Sequence, residues 1–364
     1  MPPTSNLCCR AGLVALGVWL ATSAHAQAPA GGGSVVLYGL VDACVARADL
    51  GTSTLNALNS GCLYGSRWGM RGIEDLGGGW RAGFVLEAGF NVDNGTSGQG
   101  GRAFGRKSLV SLAGPWGSVE AGRDYAPAFY VVQPIDPMAL GIGTASSTIW
   151  TGAANTTAAR NDNVINLLSP AWGHWTARVQ VAAGEGGANG ARKAMGLNVL
   201  HRSPRTIAGV SHTRVADLAD VAEDSATTVG VRHSFGAFGL AAIVQSGAWK
   251  GSRTTAAPAS SSSIFSRDYR SYLVGGTVRA GAVGEVNASL KRYDDRTASN
   301  FDATQLSVNY VHSLSRRTDL YAGYSRLENH RNSSYAVSDA TTAYTGVTPG
   351  ATTSLLALGI KHLF

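Results

Sequence analysis

The chain has 364 residues, of which 30 are Lys or Arg and 23 are Asp or Glu, giving a net charge of +7. The basic residues occur singly rather than in runs, and no nucleic-acid-binding motif accompanies them, so the charge does not predict a nucleic-acid partner. The eight histidines show no zinc-ligand spacing, and no complete nucleotide-binding motif is present. We therefore predict no metal and no cofactor.

Residues 1–26 have the pattern of a secretory signal peptide. Arg10 is their only charge, residues 11–21 form an apolar run, and residues 24–26 (AHA) match a cleavage site. We predict cleavage after this motif and one domain over residues 27–364. That domain has no stretch of 18 apolar residues, so if it enters a membrane it must do so as a closed barrel of strands.

Only Cys44 and Cys62 remain after the predicted cleavage, because the other two cysteines belong to the signal. In an oxidising compartment this pair can close the segment between them as a disulfide. Two unpaired cysteines fit the sequence equally well, since only a structure gives the distance between them.

The clearest element is a hairpin over residues 65–94. Its arms alternate apolar and polar side chains, and the three glycines at 77–79 form the turn. One face carries Trp80 and other apolar residues, whereas the opposite face carries Arg81 and Glu87 among glycines. Such a hairpin fits a soluble sandwich, whose apolar face packs on a partner sheet, or a membrane barrel, whose apolar face meets lipid.

The same alternation recurs in hairpins with short turns, separated by longer loops. We predict sixteen strands: 35–46, the two arms of the hairpin at 65–94, 102–113, 116–124, 161–168, 174–184, 193–201, 206–215, 226–235, 238–247, 269–280, 284–293, 305–314, 318–327 and 353–364. Residues 47–63 are predicted to be a polar loop. Because polar side chains recur on the second face of strand after strand, the pattern favours an all-β fold, a transmembrane antiparallel β-barrel of about 16 strands.

The pattern of alternating strands is interrupted at residues 125–159, about 35 residues rich in Pro, Gly, Ala, Ser and Thr. A loop of that length in a compact domain is normally functional or disordered. Its apolar residues, among them Phe129, Ile135 and Met138, predict that it packs against the rest of the chain.

Several motifs resemble the trimeric general porins of Gram-negative bacteria, in the form typical of beta-proteobacteria. They are LYGLVDA (37–43), GSRWGMRGIEDLGGGWRAGFVLEAGFN (65–91), FGRKSLVSLAG (104–114), GSVEAGRDYAPAFY (117–130), SLSRRTDLYAGYS (313–325) and LGIKHLF (358–364). They span both ends of the mature chain in the expected order, whereas residues 188–281 match only in pattern. The resemblance implies a sixteen-stranded barrel, a homotrimer, and a third loop folded into the lumen at the position of the interruption.

The resemblance also implies partners and a location. The protein is expected in the cell outer membrane, in contact with its lipids and lipopolysaccharide, where it passes small hydrophilic solutes. The terminal Phe364 is similar to the family's signal to the barrel-assembly machinery.

A pore needs a narrow constriction and fixed charge where low-dielectric walls concentrate the field. In the family that the chain resembles, a ladder of basic residues faces acidic groups. Matching motif to motif places Arg67, Arg106 and Arg160 at basic constriction positions and Glu87 at an acidic position facing them. Asp136 is the only carboxylate in the interruption and is expected to be the acid that this loop contributes.

Three more arginines share the lumen-facing parity of their strands and are predicted to line wider parts of the channel: Arg71, Arg81 and Arg178. A basic wall that faces a single loop acid leaves the constriction with a net positive charge. Our hypothesis from the sequence is a passive diffusion channel that prefers anions.

Two other functions remain open at this stage. A barrel-based outer-membrane enzyme, a protease or lipase, would need a catalytic dyad or triad, and no Ser, His and Asp set is recognisable. His201, His212 and His233 are scattered near strand ends. A secreted β-rich adhesin is the third possibility. Asp294 and Asp295 are interpreted as a loop charge cluster rather than as a divalent-ion site.

Overall fold

The computed structural model describes residues 34–143, 159–184, 193–216, 223–248, 268–298, 300–342 and 344–364. The predicted signal segment 1–26 lies outside these residues, and so do residues 144–158 within the interruption. None of the helices in the described residues is long and apolar enough to cross a membrane.

The described strands form one antiparallel sheet that closes on itself. They are β1 (Ser34–Asp49), β2 (Thr54–Ser60), β3 (Arg67–Gly77), β4 (Trp80–Gly89), β5 (Lys107–Gly114), β6 (Gly117–Tyr125), β7 (Arg160–Leu168), β8 (Trp175–Ala182), β9 (Ala194–Arg202), β10 (Thr206–Ala216), β11 (Glu223–Ser234), β12 (Phe238–Ala248), β13 (Asp268–Ala280), β14 (Gly284–Asp295), β15 (Ala303–Ser313), β16 (Thr318–Asn329) and β17 (Thr352–Leu363). β1 pairs with β17, which closes the barrel. Because β2 and β3 both pair with β1, at different heights, they share one of sixteen positions. The predicted sixteen-stranded antiparallel barrel is confirmed.

The prediction of a polar loop over residues 47–63 is wrong. β1 continues to Asp49, and β2 turns back to pair with it over Thr54–Ser60. Most of the polar side chains that suggested a loop are exposed, but those at the end of β2 are buried. Asn59, for example, donates from Nδ2 to Oδ2 of Asp339 at 2.9 Å and to the hydroxyl of Tyr344 at 2.7 Å.

Side chains alternate between an outer face of exposed apolar residues and an inner face of small and polar ones. On β1, Val45 is 63% exposed, whereas the neighbouring Ala46 is buried. On β15, Leu306 is 51% exposed, whereas Gln305 is fully buried. This distribution is the reverse of that in a water-soluble protein and is typical of a barrel with a lipid-facing apolar band.

The hairpin of β3 and β4 turns where the sequence predicts. Gly77, Gly78 and Gly79 have φ angles of 81°, 61° and 82°. A side chain at any of these positions would be strained, so the turn depends on glycine.

The interruption begins with a helix. A helical turn, α1 (Gly98–Gly101), precedes it in the loop after β4, and α2 (Pro127–Ile135) follows β6 directly. Proline is favourable at the start of α2, because the first N–H groups of a helix have no partner within it. The side chains of Val131, Val132 and Ile135 are buried, in agreement with the predicted packing of this segment.

α2 and the residues after it pack on the inner face of the sheet where the strands carry glycine. A Cβ atom at Gly209 would lie 3.3 Å from Cγ1 of Val131, and one at Gly230 would lie 3.1 Å from Cδ1 of Ile135. The same close approach pairs Gly196 with Pro127, Gly275 with Pro137, and Gly323 with Ile142. The missing side chains let the segment lie directly against the strand backbones.

The end of this segment shares a buried cluster with the long connection between β16 and β17. Met138 and Ile142 lie in it together with Tyr335 and Val337 of that connection. The amide of Gly143 also donates to the carbonyl of Ser338 at 2.7 Å. The two connections therefore pack as one body inside one side of the barrel.

Candidate functional site

Arg106 and Glu87 form the centre of a charged group on the inner face. Nε of Arg106 donates to Oε1 of Glu87 at 2.7 Å, and both residues are largely buried. Their backbones are joined as well, because the amide of Arg106 donates to the carbonyl of Glu87 at 3.1 Å. The hydroxyl of Tyr38 donates to the other carboxylate oxygen at 3.1 Å. The sequence-predicted pair of Arg106 and Glu87 is therefore in direct contact.

Tyr125 joins two of the predicted arginines. Its hydroxyl accepts from Nη2 of Arg106 and from Nη2 of Arg160, each at 2.8 Å. The guanidinium of Arg160 also lies 4.3 Å from the centroid of the Tyr125 ring, a cation–π contact. Tyr125 and Arg160 are paired across β6 and β7, at the two ends of the interruption.

Arg67 belongs to the same group. It lies on β3, paired with Gly89 of β4, within electrostatic range of Arg106 and Glu87. Arg67 and Arg106 thus lie near the Glu87 carboxylate, and Arg160 is joined to Arg106 through the Tyr125 hydroxyl. The stacking of Tyr125 on Phe129, with ring centroids 3.9 Å apart, connects this group to α2.

Asp136 is not part of this group. Its carboxylate is fully buried and accepts from the amides of Met138 at 3.0 Å and Leu140 at 3.2 Å. Its charged partner is Lys291 on β14, whose Nζ lies 3.7 Å from Oδ2. The expectation that Asp136 faces the arginines is therefore not met, because this carboxylate holds the turn after α2 and pairs with the wall behind it.

The three arginines predicted for the wider channel have different surroundings. Arg71 and Arg81 are exposed, near the glycine turn, and the guanidinium of Arg71 lies 5.7 Å from the ring centroid of Tyr38. Arg178 is instead held in an ion-pair group, with Nη1 at 2.8 Å from Asp124 and 3.2 Å from Glu120.

The sequence did not predict this second group. Lys107 on β5 lies 3.0 Å from Asp124, and its Nζ donates to the hydroxyl of Tyr130 at 2.9 Å. The Tyr130 hydroxyl donates to Asp124 at 2.7 Å. Burial, reinforced by the Asp124 charge, raises the pKa of Tyr130 well above its ordinary value, so its hydroxyl remains a donor. Two cations and two carboxylates, those of Asp124 and Glu120, balance in this group.

A β-bulge interrupts the pairing of β6 with β7 beside the second group. The register shifts between Gly122 and Asp124, where one residue of β6 lies opposite Asp162 and Asn163 of β7. Asp124 keeps the strand parity of Glu120, so it lies on the inner face by ordinary alternation. The motif GRDYAP does not predict the bulge, because the extra residue belongs to β7.

A separate network holds the connection between β16 and β17 onto β1 and β2. Cys44 and Cys62 form a disulfide with Cα atoms 6.0 Å apart, the pairing that the sequence left open. Asp339 lies against Cys62 and Asn59, and burial raises its pKa. Burial, with a contribution from the Asp339 charge, also raises the pKa of Tyr344 to about 12.

The histidines considered for hydrolysis contact hydroxyl groups and aromatic rings. Nδ1 of His212 lies 2.8 Å from Oγ1 of Thr227, and Nδ1 of His233 lies 2.8 Å from Oγ1 of Thr206. The ring of His201 packs on Trp175. These contacts give the hydrolase alternative no support.

The fold and the arginine group define a channel protein, and the chain belongs to the Gram-negative porin family. The model of that family matches residues 12–332. The chain is therefore an outer-membrane porin. Membership of this family does not favour the enzyme or the adhesin alternative.

Similar proteins cover nearly the whole chain. Outer membrane porin protein 32 of Delftia acidovorans is 31% identical over 370 residues, 97% of this chain and 99% of that protein. An outer membrane porin protein of Bordetella pertussis is 36% identical over 155 residues, which are 38% of this chain and 40% of that protein.

Solved structures of porins are also similar to this chain over most of its length. The anion-selective porin from Comamonas acidovorans has 30% sequence identity and a TM-score of 0.78, covering 91% of this chain and 100% of that one. OmpF of Salmonella typhi, at 12% identity and a TM-score of 0.61, covers 91% of this chain and 97% of that one and shares the fold.

Proposed function

We propose that the protein is a passive diffusion channel for small hydrophilic solutes that prefers anions, with the interrupting segment folded into the lumen to narrow it. The observation that carries this proposal is the excess of positive over negative side chains around Tyr125. Arg67, Arg106 and Arg160 gather there, and among the described residues Glu87 is the one carboxylate in contact with this group. Fixed positive charge in a constriction with low-dielectric walls attracts anions and repels cations.

The other charges near this group do not cancel the excess. Asp136 is buried against Lys291, so the described part of the interruption offers no carboxylate to the lumen. Lys107 and Arg178 are balanced by Asp124 and Glu120. The excess of arginine around Tyr125 therefore remains the dominant field in the constriction.

Arginine suits this role physically. A guanidinium stays charged at any pH the cell meets and donates in a planar geometry, so its field does not depend on titration. Tyr125 orients two of these groups without neutralising them, because a tyrosine hydroxyl is uncharged at neutral pH. The anion selectivity of the Comamonas acidovorans porin, which has 30% sequence identity, supports the same preference here.

The proposal extends to assembly. Residues 1–26 act as the export signal, three copies form a homotrimer in the outer membrane, and Phe364 marks the chain for the barrel-assembly machinery. In the closed barrel the amide of Phe364 donates to the carbonyl of Gly39, and the amide of Gly39 donates back, both at 3.0 Å. The proposed signal residue thus ends up tied to β1 once the barrel closes. Outer-membrane lipids and lipopolysaccharide surround the outer face.

Reversal potentials in planar bilayers with a KCl gradient test the proposed function. We expect the sign for chloride over potassium, and a weaker chloride preference in Arg160→Gln. Arg316→Gln is a matched control, because Arg316 is exposed in the turn before β16 and should leave the selectivity unchanged. A potassium preference in the unaltered protein would overturn the proposal.

A further inference from the structure

The outer face of β10, β11 and β12 has a hollow of about 460 Å³. Ala208 on β10 is paired with Val231 on β11, which in turn is paired with Ala242 on β12. The two alanines form a low floor, and larger apolar side chains surround it: Trp175, Val199, Val210, Val229, Val231 and Val244. The volume lies within the range of about 300–1,000 Å³ that is common for small-molecule sites.

One end of this hollow is polar and basic. His201 is the cross-strand partner of Ala208, its ring lies 4.8 Å from that of Trp175, and its buried Nδ1 has no hydrogen-bond partner in the described structure. Two residues before Ala208 on β10, Thr206 is paired with His233 of β11. The turn residue Arg205 is exposed immediately beyond, whereas Arg202 is paired with the inner-facing Ile207 and is not part of this rim. The hollow therefore runs from an apolar floor to a rim of imidazole and guanidinium groups.

The rim faces the periplasm. In barrels of this class the short turns are periplasmic and the long loops are extracellular. The turn between β9 and β10, residues 203–205, is one of the short ones. The rim thus lies at the level of the phospholipid headgroups of the inner leaflet, and the floor lies at the level of their acyl chains.

We propose that this hollow is a binding site for one anionic glycerophospholipid of the periplasmic leaflet. One acyl chain lies over Ala208 and Ala242, and the phosphate lies at the rim, where Arg205 and His201 donate hydrogen bonds to it. The ligand and the surface are complementary along their length. The acyl chain meets the apolar floor of the hollow, and the anionic phosphate meets the cationic rim. α2 packs on the inner side of the same strands. The bound lipid and the interrupting segment therefore lie on opposite faces of the same part of the barrel wall.

Native mass spectrometry of the full-length folded protein in detergent tests this proposal. Phosphatidylglycerol and phosphatidylcholine with the same acyl chains are the probes. We expect one tightly retained phosphatidylglycerol per chain, held about tenfold more tightly than phosphatidylcholine. Filling the hollow with Ala208→Phe and Ala242→Phe should remove this adduct. Arg205→Gln with His201→Gln should abolish the preference between the two lipids.

Matched controls come from a strand and a turn outside the hollow. Ala288→Phe adds the same ring to the outer face of β14, and Arg316→Gln with Arg317→Gln removes two exposed arginines from another short turn. Unchanged heat-modifiable migration and single-channel conductance show that each variant is folded. The proposal is wrong if the controls lose the adduct equally, or if phosphatidylcholine binds as tightly. It is also wrong if filling the hollow changes only the oligomeric state, since the face then contacts a second copy.

Discussion

Nζ of Lys291 lies 3.7 Å from Oδ2 of Asp136, and both side chains are buried. Lys291 belongs to the barrel wall, and Asp136 belongs to the segment that interrupts the strands. One buried ion pair therefore attaches the proposed constriction loop to β14. Within the described structure Nζ has no partner in hydrogen-bond geometry, so the attachment depends on charge.

Lys291→Met should destabilise the protein strongly. It leaves the Asp136 carboxylate buried without its cation, and removing one partner of a buried pair costs about 3–5 kcal/mol. The double variant with Asp136→Asn contains no buried charge and should recover most of this loss. Thermal unfolding of the purified protein in detergent, followed by circular dichroism, measures both effects.

The control for this prediction is an exposed ion pair. Arg326 lies 2.9 Å from Glu328 on the outer side of β16, and both side chains are about half exposed. Exposed pairs contribute about 0–1 kcal/mol, so Arg326→Gln should have little effect. Equal losses in the two single variants would contradict the role assigned to Lys291.

Gly323→Ala should displace the interrupting segment. The added Cβ would lie 2.5 Å from Cδ1 of Ile142, which is too close for an ordinary contact. We expect altered single-channel conductance, and recovery of the original value when Ile142→Ala is added. Ala322→Val, on the other face of the same strand, is the control. If Ile142→Ala does not restore the conductance, the contact with Gly323 does not position the segment.

Asp124→Asn should strengthen the preference for anions. Asp124 is paired with both Lys107 and Arg178, so its neutralisation leaves a net positive charge in a group that is otherwise balanced. The expected result is a reversal potential shifted further toward chloride. Asp75→Asn, exposed at the glycine turn after β3, is the control and should give no shift. A shift toward potassium in Asp124→Asn would show that this group does not face the ion path.

Replacing both cysteines with serine should lower stability without removing the fold. Cys44 and Cys62 are separated by 18 residues. In the chain-entropy model, a cross-link over a loop of this size stabilises by about 3 kcal/mol. Thermal unfolding with and without a reducing agent measures the effect. Reduction should lower the unfolding temperature of the natural protein and leave that of the double serine variant unchanged.

The strands were predictable because each has one lipid-facing side. Alternation of apolar side chains predicted a strand at 318–327, and β16 covers Thr318–Asn329. β2 was missed for the opposite reason. It is short, and its Asn59 faces a buried network with the connection between β16 and β17, so the segment lacks the apolar alternation that marks a strand.

The candidate site was predictable only where its residues lie within regular strands or next to them. Glu87 is paired with Lys107, the first residue of β5, and the amide of the preceding Arg106 donates to the Glu87 carbonyl, so the contact of Arg106 with Glu87 follows from this pairing. The position of Asp136 depends on the fold of a long interruption, which local sequence does not determine. Asp124 lies on the inner face by ordinary alternation, whereas its contact with Tyr130 depends on the fold of α2.

The buried cluster joins Met138 and Ile142 of the proposed constriction segment to Tyr335 and Val337 of the connection between β16 and β17. An antibody that binds this connection should therefore also displace the proposed constriction segment. Its binding should then appear as a step in the current through a single channel.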